Sequence, residues 1–504
     1  MRLLLITALL GALLSPAPAE AQRRPNLVVV MTDDQTLSDL DAMPETRRLV
    51  GEAGATFSNA YVSYPLCCPS RATFLTGRYA HNHGVRTNGP PDGGVEALDA
   101  RHTLPVWLQR AGYDTSHVGK YLNGYGLRGD DDVPPGWSNW HATLDKSTYA
   151  MWGYRMNDNG METTYGSFRD EDPALYQTDI LRDKALEVIR AHGPGADEDP
   201  FLLSLNLVAP HGEIVPPAST TQPYLRPAPR HRGRFATLPF LSPAYDELDV
   251  SDKPAHVRRL RRLGPQARLR IERDFRARRE SLLAVDEAVA ALVSELSLTG
   301  ALADTYVVFT SDNGFLQGEH RIAKGKYFPY DPSAHVPLLI RGPGIAAGTI
   351  SDELVANVDL APTLLAASGA RADRTLDGRS LLPFARDASR RSARPLLHEG
   401  LVGGDVDRDG DAARAQEQRS RAGVYAAIRT RRYLYVKWQG GGRELYDRNV
   451  DPFELVSVHR DPRYAEVRDI LSDEVALLAR CRDSACRDGL GGLPRPAPLS
   501  DFPR

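Results

Sequence analysis

From Leu27 to Met31, within Asn26 to Met31 (NLVVVM), the chain is apolar at every position. An unbroken β-branched run of this kind predicts a strand buried on both faces, as in a parallel sheet. Phe201 to Val208 (FLLSLNLV), Thr305 to Phe309 (TYVVF) and Val336 to Ile340 (VPLLI) repeat the pattern, and shorter strands are expected at Thr56 to Val62 and Tyr113 to Val118. Between these runs the apolar spacing changes. Met43 to Ala53, Thr103 to Ala111, Leu175 to Ala191 and Asp359 to Ala367 read as helices. Ile271, Phe275, Leu282, Val285, Val289, Leu292 and Leu296 mark one face of a long amphipathic helix. Strands alternating with helices predict an α/β fold: a large, mostly parallel sheet flanked by helices. Two stretches break the pattern. Leu127 to Thr164, rich in Gly, Asp, Trp and Tyr, reads as a loop-rich insertion, and Glu213 to Arg268 reads as irregular.

Past Thr375 the pattern changes again. Gly423 to Trp438 and Arg443 to Tyr446 read as antiparallel strands about a turn at Gln439 to Gly442, with a last helix near Val467 to Leu478. The expected division is a signal peptide at 1–21, a catalytic domain at 22–375 and a smaller C-terminal α+β subdomain with an antiparallel sheet at 376–504. The leader expectation rests on Arg2, the apolar run Leu3 to Leu14 and the small-x-small site Ala19-Glu20-Ala21. That run is short for a bilayer span and no later one is longer, so the expectation is export, secreted or periplasmic, after cleavage near Ala21, with no membrane span.

Composition changes this picture little. With 42% hydrophobic and 25% charged residues and a formal net charge of -3, the chain reads as soluble and globular, with no overall field favouring nucleic acid. One local exception is the basic run His256 to Arg262 (HVRRLRR), which suits either a polyanion or a solvated face. Cysteine usage says more. Of four cysteines, Cys481 and Cys486 are close enough to close a small disulfide loop. Cys67 and Cys68 are neighbours, where a vicinal bridge would be a strained ring, and an unpaired cysteine in an exported chain signals chemistry.

Several strands end in polar or ionisable residues: Asp33-Asp34, Lys120, His211 and Asp312-Asn313. Strand C-termini converge on one edge of a parallel sheet, where such folds bind ligands. Three carboxylates and an amide make an all-oxygen set suited to Ca²⁺ or Mg²⁺ rather than zinc. Only seven of the 62 basic residues are lysine, yet Lys120, Lys324 and Lys326 stand beside these strand ends. Lysine is a compact charge suited to a tetrahedral oxyanion.

Cys67-x-Pro69-Ser70-Arg71 followed by Leu75-Thr76-Gly77 resembles the signature of the type I sulfatases, formylglycine-dependent members of the alkaline phosphatase superfamily. Asp33-Asp34, Gly119-Lys120, Pro210-His211, Ser311 to Gly314 and Asp359 to Thr363 support the resemblance across nearly the whole mature chain. The double cysteine, His81-Asn82-His83 and Gly119 to Asn123 are most similar to the N-acetylglucosamine-6-sulfatases and extracellular heparan endosulfatases. The resemblance implies an alkaline-phosphatase-like fold and oxidation of Cys67 to formylglycine by a formylglycine-generating enzyme. It implies that Asp33, Asp34, Asp312 and Asn313, with modified Cys67, bind one Ca²⁺. Arg71 would hold the nucleophile, Lys120 and Lys326 would clamp the sulfate, and His211 would assist the leaving alcohol. Lys326 is preferred to Lys324 because its spacing to Val336-Pro337 matches the family. The implied substrate is a sulfate monoester, a 6-O-sulfated glucosamine-type saccharide. A broad arylsulfatase and a phosphonate or phosphate monoester hydrolase are the rival activities. A secreted glycan-binding protein is the non-enzymatic rival. One departure is Leu122, where many arylsulfatases carry histidine: either His81 or His83 nearby compensates, or the role is absent and the His-Asn-His run is a polar turn. Trp137 and Trp140 are read as packing residues.

Overall fold

The apolar run at Leu27 to Met31 is buried on both faces because it lies in the middle of a ten-stranded sheet. The computed structural model describes residues 24–129, 132–169, 171–193, 199–213, 225–402 and 423–496, so the expected signal peptide lies outside the described residues. The strands are β1 (Asn26–Thr32), β2 (Ala55–Tyr61), β3 (Asp114–Gly119), β4 (Asn139–Thr143), β5 (Tyr154–Asp158), β6 (Met161–Tyr165), β7 (Phe201–Asn206), β8 (Thr305–Ser311), β9 (Leu338–Arg341) and β10 (Thr349–Ala356). Their spatial order is β10-β2-β9-β8-β1-β7-β3-β4-β5-β6. The central four, β8-β1-β7-β3, are mutually parallel.

Successive residues of a strand point to opposite faces, and β1 shows it. Leu27, Val29 and Met31 join a core with Ala72, Leu75, Trp107 and Leu364. Val28 and Val30 join a second core with Leu181, Ala185, Leu282 and Val285. One core is therefore covered by the helices Cys67–Thr76, Leu104–Arg110 and Leu360–Ser368, the other by Gln177–Ala191 and Pro265–Leu298. This is the α/β layering the sequence predicts. Among the described residues no helix is long and apolar enough to cross a membrane.

Three features depart from the sequence reading. The stretch at 127–164, expected to be loop-rich, contributes β4, β5 and most of β6, which extend the large sheet. β6 alternates partly exposed positions at the sheet edge, so its apolar signal is weak. β9 runs antiparallel between β2 and β8. Beyond it, β10 (TISDELVA) carries too many polar residues to register as a strand, yet it pairs in parallel with β2.

A second sheet begins at Leu396: β11 (Leu396–Leu401), β12 (Val424–Arg429), β13 (Tyr433–Trp438) and β14 (Arg443–Asp447) form an antiparallel meander. The helix Ala465–Leu478 covers it through Val467, Leu471 and Val475. Cys481 and Cys486, just past that helix, are joined by a disulfide. Leu376, Leu381, Leu382 and Phe384 pack in the core of the large sheet instead.

The Asp359 motif is structural. The Asp359 carboxylate accepts two hydrogen bonds from the Arg394 guanidinium, at 2.8 and 2.5 Å, and the backbone N–H groups of Arg379 and Ala356. Both partners of the ion pair are buried. Asp359→Ala leaves a buried guanidinium uncompensated and is expected to cost about 3–5 kcal/mol in a denaturant titration.

Candidate active site

Strand register brings the site together. Thr32 pairs with Ser311, Met31 with Asn206, and Gly119 with Asn206, so the C-terminal ends of β8, β1, β7 and β3 are level. The residues just past them, Asp33-Asp34, Asp312-Asn313 and Lys120, emerge on one edge. His211 follows β7 by a short turn that contains the cis Ala209–Pro210 peptide. Gly119 is needed here: its φ is +101°, and a Cβ would lie 2.1 Å from the Asn206 carbonyl oxygen.

The Cys67–Thr76 helix enters this edge with its N-terminus. All ten residues are buried, Pro69 sits in the first turn where no intrahelical N–H is required, and Gly77 ends the helix at φ +63°. Ser70 Oγ accepts from the Asn357 side-chain amide at 2.8 Å, which fixes the helix laterally. Helical geometry separates the two cysteines. Cys67 and Arg71, four residues apart, share the face toward the strand ends. Cys68 lies in the apolar core, where burial pushes its thiol up to about 12, so it stays neutral.

Around Cys67 the polar contacts are close. Its Sγ–H donates to Asp33 Oδ1 at 3.3 Å, and Lys326 Nζ donates to Sγ at 2.9 Å. Lys326 Nζ also donates to Asp34 Oδ1 at 2.7 Å, and Lys120 Nζ to Asp33 Oδ2 at 2.5 Å. Arg71 Nε donates to Asp312 Oδ2 at 2.7 Å, while its Nη1 donates to the Lys120 carbonyl at 2.9 Å. His211 Nε2 lies 3.5 Å from Asp34 Oδ2. All eight residues are buried.

This density of charge shifts the acids in opposite directions. Burial would raise the Asp33 carboxyl, but Lys120, His211, Lys326 and Arg71 hold it well below the usual carboxylate range. Asp312 is pushed up to about 6 by burial and by the Asp33 charge, against Arg71 and both lysines. Burial would lower the Lys120 ammonium, but Asp33 holds it above the usual lysine range.

The donors suit a hard divalent cation. Ligand atoms of Asp33, Asp34, Cys67 and His211 all lie within 4.8 Å of one another. Asn313 Oδ1 is buried and has no hydrogen-bond partner, while its Nδ2 donates to Asp34 Oδ1 at 2.5 Å. An acceptor left unsatisfied beside three carboxylates fits a cation ligand.

Three further residues support the cluster and were not read from the sequence. Arg278, on the long helix, donates to the Asp34 carbonyl at 2.5 Å and the Pro210 carbonyl at 3.1 Å. It holds Asp34 at φ +68°, a left-handed conformation that few side chains adopt. Its position, three residues past Phe275 on the apolar stripe, was the available signal. Asn206 Oδ1 accepts from Arg71 at 3.3 Å. Tyr149 lies between Lys120 and His211, its ring centroid 4.6 Å from Nζ and 4.4 Å from the imidazole.

Other candidates fall elsewhere. His81 Nδ1 bonds Glu399 at 2.9 Å and Nε2 bonds the Cys481 carbonyl at 2.8 Å, so it ties the helix region to the second sheet and the disulfide. His83 bonds Thr73 Oγ1 at 3.0 Å. Leu122, Trp137 and Trp140 pack in the apolar core. Lys324 is half-buried on the same loop as Lys326.

Residues 25–370 match the family model described as Sulfatase. The chain is 35% identical over 373 residues to the extracellular sulfatase SULF-1 homolog of Drosophila melanogaster, which covers 73% of this chain and 32% of that protein. It therefore spans about a third of that relative's length. It is 36% identical over 401 residues to the N-acetylglucosamine-6-sulfatase of Homo sapiens, covering 77% of this chain and 69% of that one. Among solved structures, one in complex with D-glucosamine-2-N,6-O-disulfate, named as its substrate, superposes with a TM-score of 0.73 at 24% identity, over 90% of this chain and 97% of that one.

Proposed function

This chain belongs to the sulfatase family, and we propose that it hydrolyses sulfate monoesters, with the 6-O-sulfate of an N-acetylglucosamine-type saccharide as substrate. The observation that carries this reading is the convergence of Lys120, Lys326 and Arg71 with three carboxylates around Cys67. A thiol in that setting occupies the place of the reacting oxygen. Oxidised to formylglycine and hydrated, Cys67 would supply one hydroxyl to attack sulfur and a second whose deprotonation re-forms the aldehyde and frees sulfate. Asp33, Asp34, Asp312 and Asn313 would hold a divalent cation, Ca²⁺ by its oxygen donors, which offsets sulfate charge and lowers the pKa of a bound hydroxyl.

The chain's own residues do the rest. Arg71 orients Asp312 and faces the nucleophile from the same helix. Lys120 and Lys326 are within reach of oxygens placed at Cys67 and hold the sulfate's equatorial charge. His211, its ring tilted against that of Tyr149, would deliver a proton to the departing alcohol. Export is proposed with this activity, in keeping with the extracellular sulfatase relative.

The test is release of inorganic sulfate from N-acetylglucosamine-6-sulfate, compared with aryl sulfates and with phosphonate and phosphate monoesters. Preference for the 6-sulfated sugar is expected; faster phosphonate hydrolysis would replace this reading with its rival. Lys120→Ala and Lys326→Ala are each expected to lower kcat about 10²–10³-fold, the usual cost of losing one transition-state donor.

A further inference from the structure

The basic run at His256 to Arg262 has no part in the site above, and it borders a second concavity. A cleft of about 580 Å³ lies between residues 252–259, the turn joining β13 to β14, and His459-Arg460. That volume is in the range of ligand sites. Arg258 and Arg259 enter it from one side, Arg443 and Arg460 from the others. All four are exposed, and none has a carboxylate partner among the described residues. Other arginines nearby are paired: Arg262 and Arg268 both reach Asp246. The acid that lines the cleft, Asp252, is already engaged by Lys253 at 3.6 Å and by the Ser457 N–H at 2.5 Å. Gly440, Gly441 and Gly442 present backbone without side chains, which leaves room for a ring.

His256, on its wall, lies 5.8 Å ring to ring from Phe328, two residues past Lys326. We propose that this cleft binds a sulfated oligosaccharide through Arg258, Arg259, Arg443 and Arg460, so that an anionic chain is held on the protein while one of its esters is cleaved. The presentation of an ester rests on the hydrolase reading; the binding does not. Arginine forks accept sulfate and carboxylate oxygens in pairs. A single-stranded nucleic acid would call for an open aromatic platform. Trp438 offers none, being 3% exposed with its indole N–H donated to Glu444.

The experiment compares the full-length protein with R258Q/R259Q/R443Q/R460Q. Affinity for a size-defined heparin tetrasaccharide is expected to fall about tenfold or more, with a shallower salt dependence. Hydrolysis of a small aryl sulfate and the melting temperature stay at the wild-type level. Should the quadruple variant fail to fold, R443Q/R460Q serves, with roughly a threefold loss expected. Equal tetrasaccharide affinity in wild type and variant would overturn the proposal. So would single-stranded DNA of matched charge binding wild type as tightly as the tetrasaccharide. Failure of the wild type to release sulfate from any ester would count against the hydrolase reading alone, since the binding comparison still decides the cleft.

Discussion

Replacing Cys67 by alanine is expected to lower sulfate ester turnover by about four orders of magnitude or more, with little change in melting temperature. At the helix N-terminus the Cys67 side chain contacts both Asp33 and Lys326, so the substitution removes the group in the nucleophile's position. Cys68 is one residue away but faces the apolar core with a thiol pushed up to about 12. Stability should hold, because Asp33–Lys120 and Asp34–Lys326 remain paired without Cys67. Cys67→Ser sharpens the test. A serine hydroxyl can attack sulfur but has no second hydroxyl to expel sulfate, so the expected result is at most one ester cleaved per protein, followed by arrest. Steady turnover by the serine variant would point to a mechanism of the phosphatase kind.

The second large effect is metal removal. Chelation followed by desalting is expected to reduce turnover roughly a thousandfold, since a bound cation supplies several kcal/mol of charge stabilisation. Added Ca²⁺ restores activity and raises the melting temperature, because it binds the folded state alone. Asp34→Asn should lose both responses. The physical cause is the crowding of Asp33, Asp34 and Asp312 in a dry space, where burial and the Asp33 charge push Asp312 up to about 6. Restoration by Zn²⁺ but not Ca²⁺ would mean that the Cys67 sulfur and His211 nitrogen, rather than the oxygens, set the metal's identity.

The parts legible in the sequence share a reason. β1, β7 and β8 are buried on both faces, so apolar residues dominate them, and their ends mark the edge of the candidate site by topology alone. β4, β5, β6 and β10 lie toward the sheet margins, where one polar face is tolerated and the signal fades into that of a loop. The residues in contact with Cys67 stood out because several belong to short local motifs. Arg278, Asn206 and Tyr149 did not, since each acts through a partner far along the chain; Arg278 and Asp34 are 244 positions apart. The His81-Asn82-His83 run was legible as a motif but misleading as to place. Its imidazoles and amide bind Glu399, Asp377, Thr73 and the Cys481 carbonyl, so it acts as a strut between the Cys67–Thr76 helix and the second sheet.

The account turns on the chemical state of Cys67. Mass spectrometry of the peptide containing Cys67, from active protein matured with a formylglycine-generating enzyme, tests it most directly. The account predicts that Cys67 has lost its sulfur and carries an aldehyde, with Cys68 unchanged. A fully active protein with an intact Cys67 thiol would contradict it.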